Sequence, residues 1–141
     1  MSARLISLLT SSSLASWPNQ HDDGFLQASE IYDMRLPRAR LVVLSACQTG
    51  IERLYRGEGA IGIARPFIKA RVPLIIASLW PVDSDSASEL MISFHKLRKQ
   101  RLPTAVALCR AQRKMLGSPD QRNRLPYHWA AFAAIGGYAT F

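Results

Sequence analysis

Leu41-Val42-Val43-Leu44-Ser45-Ala46-Cys47-Gln48-Thr49-Gly50 is the stretch on which the fold turns. Five of its first six residues are apolar and they do not alternate. That pattern predicts a short strand buried on both faces, as in a parallel sheet. Cys47 stands where the strand stops, ahead of polar Gln48 and Thr49 and the breaker Gly50. A thiol at the carboxyl end of a buried parallel strand belongs to the rim where open α/β folds bind ligands. Cys47 is therefore the candidate nucleophile. The alternative is a small buried hydrophobe, the usual state of a free cysteine.

Working outward, Val72-Pro73-Leu74-Ile75-Ile76-Ala77-Ser78-Leu79 predicts a second buried strand. Trp80-Pro81 ends it at the same rim if the two strands run parallel. Between them, Ala60, Ile63, Ala64, Phe67 and Ile68 recur at helical spacing. Pro66 falls inside that helix and predicts a kink between Gly62 and itself. Gly57, Gly59 and Gly62 lack the Lys-Ser/Thr that would make a phosphate loop. After the second strand, Asp83 or Ser84 can cap a helix whose apolar face is Ala87, Leu90, Met91, Phe94 and Leu97. The next helix carries Ala105, Leu108, Cys109, Gln112, Met115 and Leu116 along one side and ends at Gly117. Cys109 is accordingly expected in the core.

Toward the start, residues 26–34 predict a short helix with Ile31 and Met34 inward, stopped by Pro37. Residues 1–20 define little, and within them the polar, small run over residues 10–13, with Ser16 soon after, predicts a loop or frayed start. An edge strand is expected within residues 129–141. Strands alternating with helices of this length give an α/β fold, a largely parallel sheet flanked by helices.

The 141 residues suffice for one domain with its own core. A 48% hydrophobic share and a mean hydropathy of zero describe a globular protein, and no apolar run is long enough to span a bilayer. Arg4 and the short apolar run after it make a poor signal peptide, because serine interrupts it. Two cysteines exclude a disulfide framework or zinc cluster, so no cofactor or metal is expected. The simplest location is a reducing cytoplasm. Net charge is +8. Lys96, Arg98, Lys99, Arg101, Arg110, Arg113, Lys114, Arg122 and Arg124 crowd the segment after His95, against one acid, Asp120. Such a segment could hold nucleic-acid phosphates. Without interleaved aromatics or a nucleic-acid motif, a solvated face or a docking surface for an acidic partner is favoured.

Ser45-Ala46-Cys47-Gln48-Thr49-Gly50 also resembles the cysteine motif of the CHAT-domain family, caspase-like peptidases that accompany tetratricopeptide repeats. Asp23-Gly24-Phe25-Leu26, Ala28-Ser29-Glu30-Ile31-Tyr32, Gly57-Glu58-Gly59-Ala60-Ile61-Gly62, Ala77-Ser78-Leu79-Trp80-Pro81-Val82-Asp83 and Tyr127-His128-Trp129-Ala130-Ala131-Phe132 resemble further blocks of the family, in its order. The resemblance covers residues 22–141 and leaves residues 1–21 as a poorly defined N-terminal segment. It implies a caspase-like fold and a cysteine endopeptidase with Cys47 as nucleophile, its backbone N–H one oxyanion donor. It also implies a peptide or protein substrate, and a tetratricopeptide-repeat protein or a second copy as partner. Asp83, and less so Asp85, would place a carboxylate in the pocket for an Arg or Lys side chain. The alternative for both aspartates is the helix N-terminus, where acids are favoured.

The family pairs its cysteine with a histidine on the preceding strand, in a His-x-x-x-His-Gly motif. In caspases that histidine lies about 50 residues upstream of the cysteine. No His-Gly pair occurs among the three histidines here, His21, His95 and His128. The resemblance thus implies an N-terminally truncated domain that begins after its histidine, inactive alone. A non-enzymatic pseudo-peptidase docking on a repeat protein is the alternative. Of the three, His21 is ranked first as a substitute base. His95 is assigned to a helix margin and His128 to packing.

Overall fold

The computed structural model describes residues 4–10, 28–46 and 59–137. They form strand β1 (Arg4–Thr10), helix α1 (Ala28–Asp33), strand β2 (Ala39–Ala46), helix α2 (Gly59–Lys69) and strand β3 (Leu74–Ser78). Helices α3 (Ser84–Lys99), α4 (Thr104–Leu116), α5 (Gln121–Arg124) and α6 (Pro126–Trp129) follow, then strand β4 (Phe132–Gly136). The sheet order is β1-β2-β3-β4. The first three strands are parallel and β4 runs antiparallel beside β3.

The missing alternation in β2 and β3 has a direct cause. Leu41, Val43, Leu74 and Ile76 face one core with Leu90, Phe94, Leu108 and Met115 of α3 and α4. Val42, Leu44, Ile75 and Ala77 face a second core with Ile31, Ala64 and Phe67 of α1 and α2. With helices on both sides, residues 41–44 and 74–77 are buried throughout, and successive side chains serve opposite cores.

The structure adds a strand and departs from two expectations, at Met34 and Cys109. Residues Arg4–Thr10, which the sequence leaves undefined, pair with β2 from Leu5↔Leu41 through Thr10↔Ala46. Strand pairing uses backbone groups, so serines beside an apolar run do not forbid it. Met34 is exposed, because α1 stops at Asp33, while Ile31 reaches the core. Helix α2 runs on through Pro66, whose ring is fully buried, so burial offsets the lost backbone bond. Cys109 is exposed. Apolar residues stand at two sets of helical positions in α4, and the set that packs is Ala107, Leu108, Ala111 and Met115.

A polar link fixes α5 to α3. The Ser86 hydroxyl donates to Asn123 Oδ1 at 2.8 Å, and Asn123 Nδ2 donates to Glu89 Oε2 at 2.6 Å. Ser86 and Asn123 are both buried. Asn123→Ala should cost about 1–2 kcal/mol, because it leaves the Ser86 hydroxyl buried without its acceptor. Denaturant unfolding measures this, and a change within experimental error would show that the link carries no stability.

Candidate active-site rim

Parallel pairing of β2 and β3, with Val42↔Ile75 and Leu44↔Ala77 in register, puts their carboxyl ends at one rim of the sheet. Cys47 follows Ala46, the last residue of β2, and lies outside the described residues. His21 lies outside them as well. The exit from β3 is well defined. Leu79 N–H donates to Ala131 O at 2.7 Å, tying that exit to the residues entering β4. Val82 then dips into the core, leaving Asp83 at the start of α3.

Asp83 is the α3 cap, its Oδ1 accepting from Ser86 N–H at 3.0 Å. Its Oδ2 meets His128 Nδ1 at 2.6 Å across 45 residues of sequence. The Asp83 side chain is 46% exposed and that of His128 17%. Partial burial alone would raise the Asp83 carboxyl. The Ser86 backbone N–H and hydroxyl, with His128, outweigh burial and hold it below its ordinary 3.8. Asp83 is therefore ionised at neutral pH.

The segment carrying His128 is pinned from several sides. Trp80 Nε1–H donates to Tyr127 O at 2.8 Å, and the two rings stack with centroids 6.4 Å apart. Tyr127 meets the His128 ring edge-on at 5.4 Å. Pro126 opens α6, its fixed φ suited to a first helical turn. Behind it, Gln112 Nε2 donates to the carbonyls of Trp129 and Phe132. Asp83, Trp80, Tyr127 and His128 thus form one cluster at the carboxyl end of β3. An imidazole with Nδ1 against a carboxylate keeps Nε2 as its second nitrogen, the arrangement that orients a general base.

Local sequence carries no signal for this pairing, because the partners come from the two ends of the α3–α6 excursion. His95 belongs to α3, its ring 5.0 Å from that of Phe94. Burial, with the charges of Arg98 and Lys99, holds its imidazole below the ordinary 6.5. A histidine depressed in the folded state contributes stability above about pH 6.5 that is lost as pH falls below it. Asp83, a depressed carboxylate, contributes stability above its ordinary 3.8, lost at still lower pH. Unfolding midpoints should therefore fall as pH drops below about 6.5, and the fall should shrink in His95→Gln. Midpoints flat below that pH, or falling equally in the variant, would refute it.

The described residues contain no group of three or more metal-ligating side chains, and no helix long and apolar enough to cross a membrane. Fold and rim together define an α/β domain of the caspase-like type. The CHAT domain family matches residues 6–137, and the chain belongs to that family. Tetratricopeptide repeat protein 28 of Homo sapiens is 29% identical over 111 residues, covering 79% of this chain and 4% of that protein. Its counterpart from Mus musculus is 28% identical over 111 residues, with the same coverage. The chain therefore spans a small fraction of the length of these relatives. No solved structure gives a significant match.

The family match begins within β1, ahead of the residue 22 start that the quoted motifs imply. The strand preceding the cysteine strand is thus present. Its last pair, Thr10↔Ala46, is followed in sequence by Ser11 on one side and Cys47 on the other. Neither β1 nor the sequence over residues 11–20 contains a histidine or a glycine.

Proposed function

We propose that this chain is a pseudo-peptidase CHAT domain: a non-enzymatic regulatory or interaction module of the cytoplasm, docking on a tetratricopeptide-repeat protein. Cys47 keeps the nucleophile's place without the histidine that would activate it. The observation that carries this is β1, the strand paired in parallel with the cysteine strand β2, which holds no histidine. A free thiol has a pKa near 8.5 and is mostly protonated at neutral pH. Without an adjacent acid, nothing passes a proton to the leaving amine. β1 holds no glycine either, so the family's second oxyanion donor has no counterpart on that strand.

One observation favours the endopeptidase role instead. His128 is held by Asp83 at 2.6 Å on the carboxyl side of β3. In that reading Cys47 attacks a peptide carbonyl, His128 serves as base, and the Asp83 carboxylate favours a basic side chain before the scissile bond.

Timed labelling with a peptidyl electrophile bearing Arg separates the two. Exposed Cys109 is the internal reference for an ordinary thiol. Equal rates for Cys47→Ala and Cys109→Ala are expected, with no cleavage of Arg-containing peptides. Labelling on the order of a hundredfold faster at Cys47, lost in His128→Gln, would establish the endopeptidase instead.

A further inference from the structure

Helix α4 presents two faces of different chemistry. Thr104, Ala107, Leu108, Ala111 and Met115 are buried against the domain. At about 100° per residue, the remaining positions fill the outward half in two adjoining rows. One row is apolar: Ala105, Cys109 and Leu116, while Val106, one turn before Cys109, falls at the head of the basic row. The other is basic: Arg110, Arg113 and Lys114. Val106 is 41% exposed and Leu116 53%. No acid occurs anywhere in α4. None of the three cations has a carboxylate partner among the described residues. Helix α3 differs, since its exposed positions mix Asp85 and Glu89 with Lys96 and Lys99.

This is not the surface that solvation alone requires. A helix face that only meets water gains from interspersed charges of both signs. Here Arg110, Arg113 and Lys114 stand at i, i+3 and i+4, where like charges repel. An acidic partner would relieve that repulsion, and the apolar row beside it offers burial that water cannot. Nucleic acid fits less well. Phosphates would use the cations but leave the apolar row unmatched, and this face has no aromatic for a base to stack on.

We propose that the outward face of α4 docks an acidic amphipathic helix of a partner protein. Leucine-type anchors at i, i+3, i+4 and i+7 would lie along Ala105, Cys109 and Leu116 and reach across to Val106, with flanking glutamates over Arg110, Arg113 and Lys114. Helix α4 is about 20 Å long, so the matching segment has roughly three to four turns. Cys47 takes no part, and the surface holds for either role of the rim.

The test uses the full chain and a fluorescent, roughly four-turn peptide with a leucine stripe flanked by glutamates. A version with lysine for every glutamate, a short DNA duplex and phosphatidylserine-containing vesicles serve as competitors. Saturable binding of the glutamate peptide is expected, with none by the lysine version. Arg110→Glu with Arg113→Glu should weaken it at least roughly tenfold, and Val106→Ser with Leu116→Ser by a similar factor. All four side chains are exposed, so both pairs should keep the wild-type melting temperature. Amide-shift mapping on the unmutated chain provides a readout independent of folding and should centre on α4. Equal affinity for both peptides, indifference to either pair of substitutions, shifts elsewhere, or tighter binding of DNA or vesicles would overturn the proposal.

Discussion

Phe94→Ala should destabilise the chain by about 3–5 kcal/mol, lowering the melting temperature by roughly 10 °C or more. Phe94 is 0% exposed in the middle of α3, in the same core as Leu41, Val43, Leu74 and Ile76 of the sheet. Truncation removes most of a ring and leaves a cavity bordered by two helices and the sheet, none of which can close it alone. A typical domain has about 5–15 kcal/mol in all, so this one side chain accounts for a large share. Leu116→Ala is the control. Its side chain points outward, and surface substitutions stay within about 0.5 kcal/mol. Chemical denaturation of the two variants decides it, and a loss under about 1 kcal/mol at Phe94 would mean that α3 is not held by this core. The consequence reaches the rim, because α3 carries Asp83 at its first turn.

What could be read from the sequence divides along a physical line. Strands β2 and β3, and the helices after them, were legible because burial on two faces forces continuous apolar runs and helices force a 3.6-residue period. Asp83 as a cap was legible too, since capping needs only a short polar side chain just before a helix. The direction of β4 was not, because one strand's composition does not say which way its neighbour runs. Helix α4 misled for another reason. Ala105, Cys109 and Leu116 form a row as regular as Ala107, Ala111 and Met115, and only the position of α3 and the sheet selects between them. Strand β1 was not legible locally. Its evidence is a register with β2, which no local pattern in Arg4–Thr10 records.

The rim follows the same rule. Each member of the Asp83–His128 pair has an ordinary local role, the aspartate as cap and the histidine within the Leu125–Trp129 turn. Their meeting depends on four helices returning the chain to β3 before β4 begins. The lack of histidine in β1 acquires meaning in the same way. It matters only because β1 lies beside β2 in parallel register, a neighbour that local sequence does not announce.

Gly136→Ala should cost about 2–3 kcal/mol, the second large loss expected in this chain. Gly136 ends β4 with φ of 118°, outside the range that side chains adopt readily. A Cβ there would lie 2.5 Å from the Pro73 carbonyl oxygen, a backbone atom that cannot rotate away. That same oxygen accepts the Gly137 N–H at 2.9 Å, so moving it breaks the tie that holds the end of β4 to the start of β3. Gly137→Ala tests the cause. Its Cβ would sit 4.0 Å from the same oxygen without a strained φ, so its cost should stay within about 0.5 kcal/mol. The pairing of β3 with β4 runs from Leu74↔Gly136 to Ser78↔Phe132, only a few residues from His128. A slip forced at Gly136 therefore reaches the Asp83–His128 contact. In Gly136→Ala the His128 imidazole resonances should move along with the loss of stability, while in Gly137→Ala both stay as in the wild-type chain. Equal losses in the two variants would show that crowding at Pro73 does not set the register, and that β4 is positioned instead from the rim, through the Leu79–Ala131 hydrogen bond and the carbonyls held by Gln112.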